Sequence, residues 1–143
     1  MNIDELIEKP YWIIDILPKQ VPADQGGQYF KVERYYLNRI PLLCRKYSDM
    51  LLKLNCYYDM DVSHDGENWL RNPEPEAVEQ GVEACFSEKA SKSVLFVSLA
   101  SEQVLMVIER DCTHMTIYNP KEELLELIRL LAASTGLFVW KPA

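Results

Sequence analysis

The sequence predicts an α+β fold, with a mixed, mainly antiparallel sheet and about three helices packed largely on one face. Residues 93–100 and 103–109 are two apolar, β-branched segments that only Ser101 and Glu102 separate. So short a connection requires antiparallel pairing. Helical patterns lie outside this strand-rich stretch, and that segregation favours the α+β class. The length of 143 residues fits a single globular domain, 1–143.

The first third of the chain carries local signals of helix, strand and loop. Residues 2–8 suit a short helical turn that Pro10 limits, and the β-branched and aromatic residues 11–17 predict a strand. Two prolines and a glycine pair predict a loop over residues 19–28. Residues 29–37 contain four aromatics. Their weak alternation favours an edge strand, and a partner-binding surface is the alternative.

The middle of the chain is predicted to form two helices around a short strand. An apolar stripe at three- and four-residue steps predicts the first helix, and its members are Ile40, Leu43, Cys44, Tyr47, Met50, Leu51 and Leu54. Residues 58–63 alternate and predict a half-buried strand with an acidic face, followed by a turn at Asp65 and Gly66. Asn72 is expected to cap the second helix. The buried stripe of that helix is Val78, Val82, Cys85 and Phe86.

The C-terminal third is predicted to contain strand, helix and strand. Residues 113–118 alternate and predict the third strand of the strand-rich stretch. Asn119 is expected to cap the last helix, with Pro120 at its first position. Gly136 fits the left-handed position that closes a helix. Residues 137–140 then predict a short closing strand.

Charge is spread unevenly along a chain whose net charge is −7. Residues 59–88 hold nine acids and one base, Arg71, so this segment carries −8 and the remainder +1. The overall sign argues against nucleic-acid binding. No apolar run approaches the ~18–20 residues of a membrane span. Four scattered cysteines, and an acidic N-terminal stretch without a signal-peptide pattern, predict reduced thiols and a cytoplasmic protein.

This concentration of acid predicts a non-catalytic protein that binds a basic protein partner. The candidate binding residues are Asp59, Asp61, Asp65, Glu67, Trp69, Glu76, Glu79 and Glu83. Small acidic inhibitors of basic proteins, of the antitoxin or immunity kind, suit this charge layout. Trp69 either folds back onto the core or anchors a partner, since tryptophan is enriched at interface hot spots. The helical acids also suit plain helix stabilisation near an N-terminus.

Signals for catalysis or for a bound cofactor are weak, and we expect no catalytic residue, no cofactor and no metal. Cys112 and His114 would share one face of a strand, but a cysteine nucleophile also needs an orienting third group. Residues 61–66 imitate the start of a calcium-binding EF-hand loop, yet its twelfth position falls on Asn72. The sequence lacks zinc-ligand spacing and phosphate-binding glycine patterns.

Two other functions and the oligomeric state stay open. A small-molecule-binding regulatory module would have its pocket under residues 19–28, lined by tyrosine and tryptophan. A small enzyme would use Cys112 with His114, or a pair of acids. A homodimer could form through the closing strand or through the aromatic stretch near Tyr35, because symmetric dimers are common.

Overall fold

The computed structural model of the chain describes residues 2–86, 92–110 and 113–142. The helices are α1 Ile3–Leu6, α2 Gly26–Leu37, α3 Ile40–Asn55, α4 Pro75–Phe86 and α5 Glu122–Ser134. The strands are β1 Tyr11–Asp15, β2 Asp61–Ser63, β3 Leu70–Arg71, β4 Val94–Leu99, β5 Val104–Glu109, β6 Met115–Tyr118 and β7 Phe138–Trp140. Short 3-10 turns at Ala23–Gln25 and Ala100–Glu102 precede α2 and β5.

The strands form one sheet in the order β3-β2-β4-β5-β6-β1-β7. Every strand pairing within the described residues is antiparallel. The α+β class is therefore confirmed. The link between β4 and β5 is longer than the predicted two residues, because a 3-10 turn and Gln103, at φ 55°, complete it. Antiparallel pairing of these two strands is unaffected.

The two faces of the sheet are covered unequally. Alternate residues of each strand face opposite sides, and α3, α4 and α5 bury one side with Leu95, Val97 and Met106. On the other side, which we call the open face, Leu6 of α1 packs against Leu105 and Val107. Because α1 has only four residues, it covers the middle of the open face and leaves the ends to other segments.

The predicted stripe of α3 is confirmed from Leu43 to Leu54 as part of the core, whereas the side chain of Ile40 lies outside the description. Tyr47 lies in that stripe, is fully buried, and stacks on Phe86 of α4 with ring centroids 5.9 Å apart. Its hydroxyl contacts the backbone oxygens of Ile14 and Thr113. One side chain of α3 thus joins the end of β1 to the segment that enters β6.

The prediction of an edge strand over residues 29–37 is wrong, because these residues form most of α2. The Tyr29 hydroxyl donates to Glu33 four residues on, at 3.0 Å, which is a helical spacing. The guanidinium of Arg39 lies 4.4 Å from the ring centroid of Tyr35, again four residues away. These local pairs and packing on α3 override the strand preference of aromatic residues.

Both predicted asparagine caps are also wrong. Asn72 and Asn119 have positive φ angles of 43° and 66° and occupy turns, a conformation that asparagine tolerates. The side chain of Asn72 accepts the Met60 N–H at 2.9 Å, and α4 begins three residues later. Asn119 Nδ2 donates to the backbone oxygen of Gln103 at 2.9 Å. The two side chains hold strand connections together instead of capping helices.

The predicted C-terminus of α5 is confirmed. Gly136 has φ 80°, and its N–H donates to the oxygen of Ala133. The N–H of Leu137 donates to Ala132 at 2.8 Å, which completes a Schellman closure. Lys46 of α3 donates to the Thr135 oxygen at 3.0 Å and places a cation where the helix dipole favours one.

No helix in the described ranges combines the length and the apolar character needed to cross a bilayer. The three described cysteines, Cys44, Cys56 and Cys85, are free thiols. Cys112 lies outside the described residues.

Replacing Tyr47 with phenylalanine tests the role of the buried hydroxyl. The ring can still stack on Phe86, but two backbone oxygens lose their contact with the hydroxyl. We expect Tyr47→Phe to lower the free energy of unfolding by about 1–3 kcal/mol in urea denaturation. Tyr57→Phe is the matched control, because Tyr57 is 66% exposed. Equal stability of the two variants would contradict this role.

Candidate ligand-binding site

A cavity of about 280 Å³ lies at one end of the open face. We call it the Asp15 pocket. It is lined by Ile13, Asp15, Gln20, Val21, Pro22, Ala23, Gly26, Tyr29, His114 and Trp140. The segment between β1 and α2 forms one wall, and strand residues form the other. The pocket therefore lies under part of the loop that the sequence predicted over residues 19–28.

Strand register explains why these residues meet. Val107, Thr116, Ile13 and Trp140 are successive partners across β5, β6, β1 and β7, so all four belong to the open face. Asp15 lies two residues beyond Ile13 and points the same way. Helix α1 packs near Val107, and the chain from Ile16 to Gly26 covers this end instead.

Asp15 is the most unusual residue of the pocket. Its side chain is an acid on a strand otherwise made of apolar residues, and the residue is only 5% exposed. Burial raises the pKa of this carboxyl, whereas the hydrogen bond from the Ile16 N–H, at 2.7 Å, and the charge of His114 act in the opposite direction. The carboxylate is thus poorly solvated and only partly compensated.

Two buried polar atoms without hydrogen-bond partners belong to Trp140, which lines the pocket, and to Thr113, which lies beside Tyr29. Thr113 Oγ1 and Trp140 Nε1 are buried and make no hydrogen bond. The indole is near enough to lower the pKa of Asp15 slightly, but it lacks hydrogen-bond geometry. Burial, together with Glu33 and Asp15, raises the pKa of the Tyr29 phenol to about 12. Unpaired buried polar atoms are rare in folded proteins, and two such atoms at one cavity indicate a site for a ligand.

The predicted acids of β2 lie together at the edge of the sheet. Arg71 Nη2 lies 3.0 Å from Asp59 Oδ2, and Arg71 Nη1 lies 3.5 Å from Asp61 Oδ2. Asn72 Nδ2 also donates to Asp59, and this bond, followed by the charge of Arg71, lowers the pKa of Asp59. The predicted excess of negative charge is therefore partly neutralised at this edge.

Asp65, Glu67 and Trp69 belong to the loop between β2 and β3. The Asp65 carboxylate accepts the N–H groups of Glu67 and Asn68 at 2.8 Å each and the Asn68 side chain at 2.7 Å. These bonds hold its pKa well below the usual range. Trp69 is half-buried against the open-face cluster and donates to the Gly66 oxygen at 3.2 Å. Of its two predicted roles, the contacts fit folding back onto the core.

Glu76, Glu79 and Glu83 are exposed on α4, on the opposite side of the sheet from Trp69. Glu79 and Glu83 flank a groove of about 510 Å³ between α3 and α4, across from Arg45 and Asp49. The eight predicted binding residues thus lie on two separate surfaces. The use of either surface for binding stays a prediction.

The remaining chemical candidates have different outcomes. The use of Cys112 with His114 stays a prediction, because Cys112 lies outside the described residues. His114 itself lines the Asp15 pocket. His64 Nδ1 lies 2.8 Å from the Val94 oxygen, so that histidine contacts the β4 backbone. Within the ranges that the structure describes, no three histidine, cysteine or acidic side chains converge to hold a metal ion.

Sequence reasoning missed Asp15 and Thr113, whereas it did propose a pocket under residues 19–28 lined by tyrosine and tryptophan, and Tyr29 and Trp140 both line the Asp15 pocket. A usable signal was the single acid inside the apolar strand of residues 11–17, since a buried acid is uncommon unless it has a partner or a function. Which tryptophan would line the pocket had no such signal, because Trp140 reaches the pocket only through the pairing of β7 with β1. No family model, curated protein or solved structure matches this chain.

Two aspartate-to-asparagine variants should respond to pH in opposite ways. The folded-state pKa of Asp15 is raised above 3.8, so ionisation costs stability as pH rises through that folded pKa. Asp15→Asn should therefore be more stable than the wild type at pH 7.5, and the difference should shrink at pH 4. Thermal unfolding at both pH values measures it.

Asp65→Asn is the matched control. The folded-state pKa of Asp65 is lowered, so its ionised form contributes stability that is lost as pH falls below 3.8. This variant should be less stable than the wild type at pH 7.5, with a smaller difference at lower pH. If both variants changed the stability at pH 7.5 in the same direction, Asp15 would not be a poorly solvated carboxylate.

Proposed function

We propose that this chain is a non-catalytic small-molecule-binding module and that its ligand occupies the Asp15 pocket. The observation that carries the proposal is a buried carboxylate in a cavity with largely apolar walls, beside polar atoms that lack partners. Ligand sites commonly combine apolar walls with a few convergent polar groups. A regulatory role would follow if the bound ligand stabilises the segment from Ile16 to Gly26.

The chemistry of two buried thiols, Cys44 and Cys85, argues against either of them as a catalytic nucleophile. Burial raises the pKa of Cys44 to about 12 and that of Cys85 to about 11. Thiols with such pKa values are poor nucleophiles at neutral pH. Both residues belong to the core beneath α3 and α4. The free state of the described cysteines also supports our proposal that the protein functions in the cytoplasm.

Two adjacent glycines offer a sharp test of the pocket. Gly26 lines the pocket and has an ordinary helical conformation with φ −56°, and a Cβ there would meet only Phe30, at 4.0 Å. Gly27 has open space around its Cβ position. We expect Gly26→Leu to abolish the stabilisation that a hit from a metabolite library gives in a thermal-shift screen. Gly27→Leu should leave it intact.

Two results would count against the proposal. The first is a complete library screen without any compound that raises the unfolding temperature. The second is a set of hits whose effect is equal in Gly26→Leu and Gly27→Leu, because such compounds would bind elsewhere.

A second candidate function is binding of a basic protein, in the manner of an antitoxin or immunity protein. The specific observation in its favour is the α3–α4 groove, where Glu79, Glu83 and Asp49 contribute acids and Arg45 is the single base among the described lining residues. Complementary charge increases association rates and selects partners.

A homodimer remains a further proposal, for which exposed Phe138 on the edge strand β7 is the available contact.

Charge reversal tests this second function. Lysine at Glu76, Glu79 and Glu83 should abolish capture of a basic partner from a lysate of the native host. The control introduces lysine at Glu109, Glu123 and Glu126, which are also exposed but lie outside α4. Equal loss in both triple variants would indicate only a nonspecific effect of net charge.

A further inference from the structure

We infer that the ligand of the Asp15 pocket is a small organic cation, a protonated amine carried on an apolar body. This inference rests on the proposed function and adds the chemical class of the ligand. Its basis is the charge and the surface chemistry of the groups that face the cavity.

The charged groups facing the pocket favour a cation. Asp15 lines it directly, and Glu33, although not part of the lining, accepts a hydrogen bond from the Tyr29 hydroxyl at 3.0 Å. His114 is the titratable base of the lining, and in the described part of the chain no lysine or arginine contributes to it. An anionic ligand would thus meet a carboxylate without a fixed counter-charge.

A neutral ligand would leave the buried Asp15 carboxylate without an opposite charge. Asp15 is 5% exposed, and among the described residues the N–H of Ile16 makes the close hydrogen bond to its carboxyl. A neutral ligand displaces water from the carboxylate without supplying charge, which increases the desolvation cost. An ammonium group supplies both opposite charge and N–H donors, and charge-assisted hydrogen bonds are about twice as strong as neutral ones.

The walls fit the rest of such a ligand. Tyr29 and Trp140 line the cavity, and aromatic rings attract a cation within about 6 Å of their centroids. Ile13, Val21 and Pro22 supply apolar contacts for a short hydrocarbon body. The buried Thr113 Oγ1 lies beside the Tyr29 phenol and lowers its pKa, against the larger effect of burial.

A series of three probes of similar shape separates charge from size. The probes are 2-phenylethylamine, 2-phenylethanol and phenylacetate, titrated into the full chain by calorimetry at pH 7.5. The amine should bind at least about tenfold more tightly than the alcohol, the difference expected between a charged and a neutral hydrogen bond. Phenylacetate should give no measurable heat of binding.

The variant Asp15→Asn gives an independent readout on the same probes. It should reduce the affinity for the amine to that for the alcohol, whereas Asp65→Asn should change neither. In the wild type, affinity for the amine should fall with decreasing pH as Asp15 takes up a proton. The other titratable groups near Asp15 are His114, Tyr29 and Glu33.

The outcomes distinguish the ligand class from the function. Equal affinity for amine and alcohol, or amine binding that Asp15→Asn leaves unchanged, overturns the cationic class while the pocket still binds a ligand. Binding of phenylacetate alone overturns it in favour of an anion. Failure of all three probes overturns the class. A library screen without hits would overturn the proposed function as well.

Discussion

The Tyr47 hydroxyl is the contact on which the described architecture depends most directly. It reaches from the centre of α3 to the backbone oxygens of Ile14 and Thr113. Asp15 and His114 are the next residues along the chain, and both line the pocket. A single buried hydrogen-bonding group therefore ties the main helix of the core to the two strands that present the polar residues of the candidate site.

The same arrangement explains why the site lies at the end of the open face. Helices α3, α4 and α5 fill one side of the sheet, so polar groups facing that side would be buried in the core. The short α1 covers only the middle of the other side. Asp15 and Trp140 lie beneath the segment from Ile16 to Gly26. There the carboxylate is shielded from bulk water but borders a cavity. Functional sites commonly retain such unfavourable groups because a ligand compensates them.

Local patterns in the sequence were sufficient for most elements and insufficient for the site. The stripe of α3, the closure of α5 at Gly136 and the antiparallel β4–β5 pair follow from neighbouring residues, and the structure agrees. Residues 29–37 were misread because aromatics favour strands on average, whereas Tyr29 and Glu33 pair at helical spacing. Asn72 and Asn119 look like caps but occupy left-handed turns. The Asp15 pocket combines residues more than one hundred positions apart, and only strand order brings them together.

The most direct measurement is a carbon-13 NMR titration of the Asp15 side-chain carboxyl in the protein without ligand. A desolvated carboxylate that lacks a fixed counter-charge should titrate with a pKa above 3.8. Addition of a cationic ligand should move that pKa downward. A pKa at or below 3.8 in the free protein would mean that the Asp15 carboxylate is already compensated. It would contradict both its poor solvation and the proposed ligand site at the Asp15 pocket.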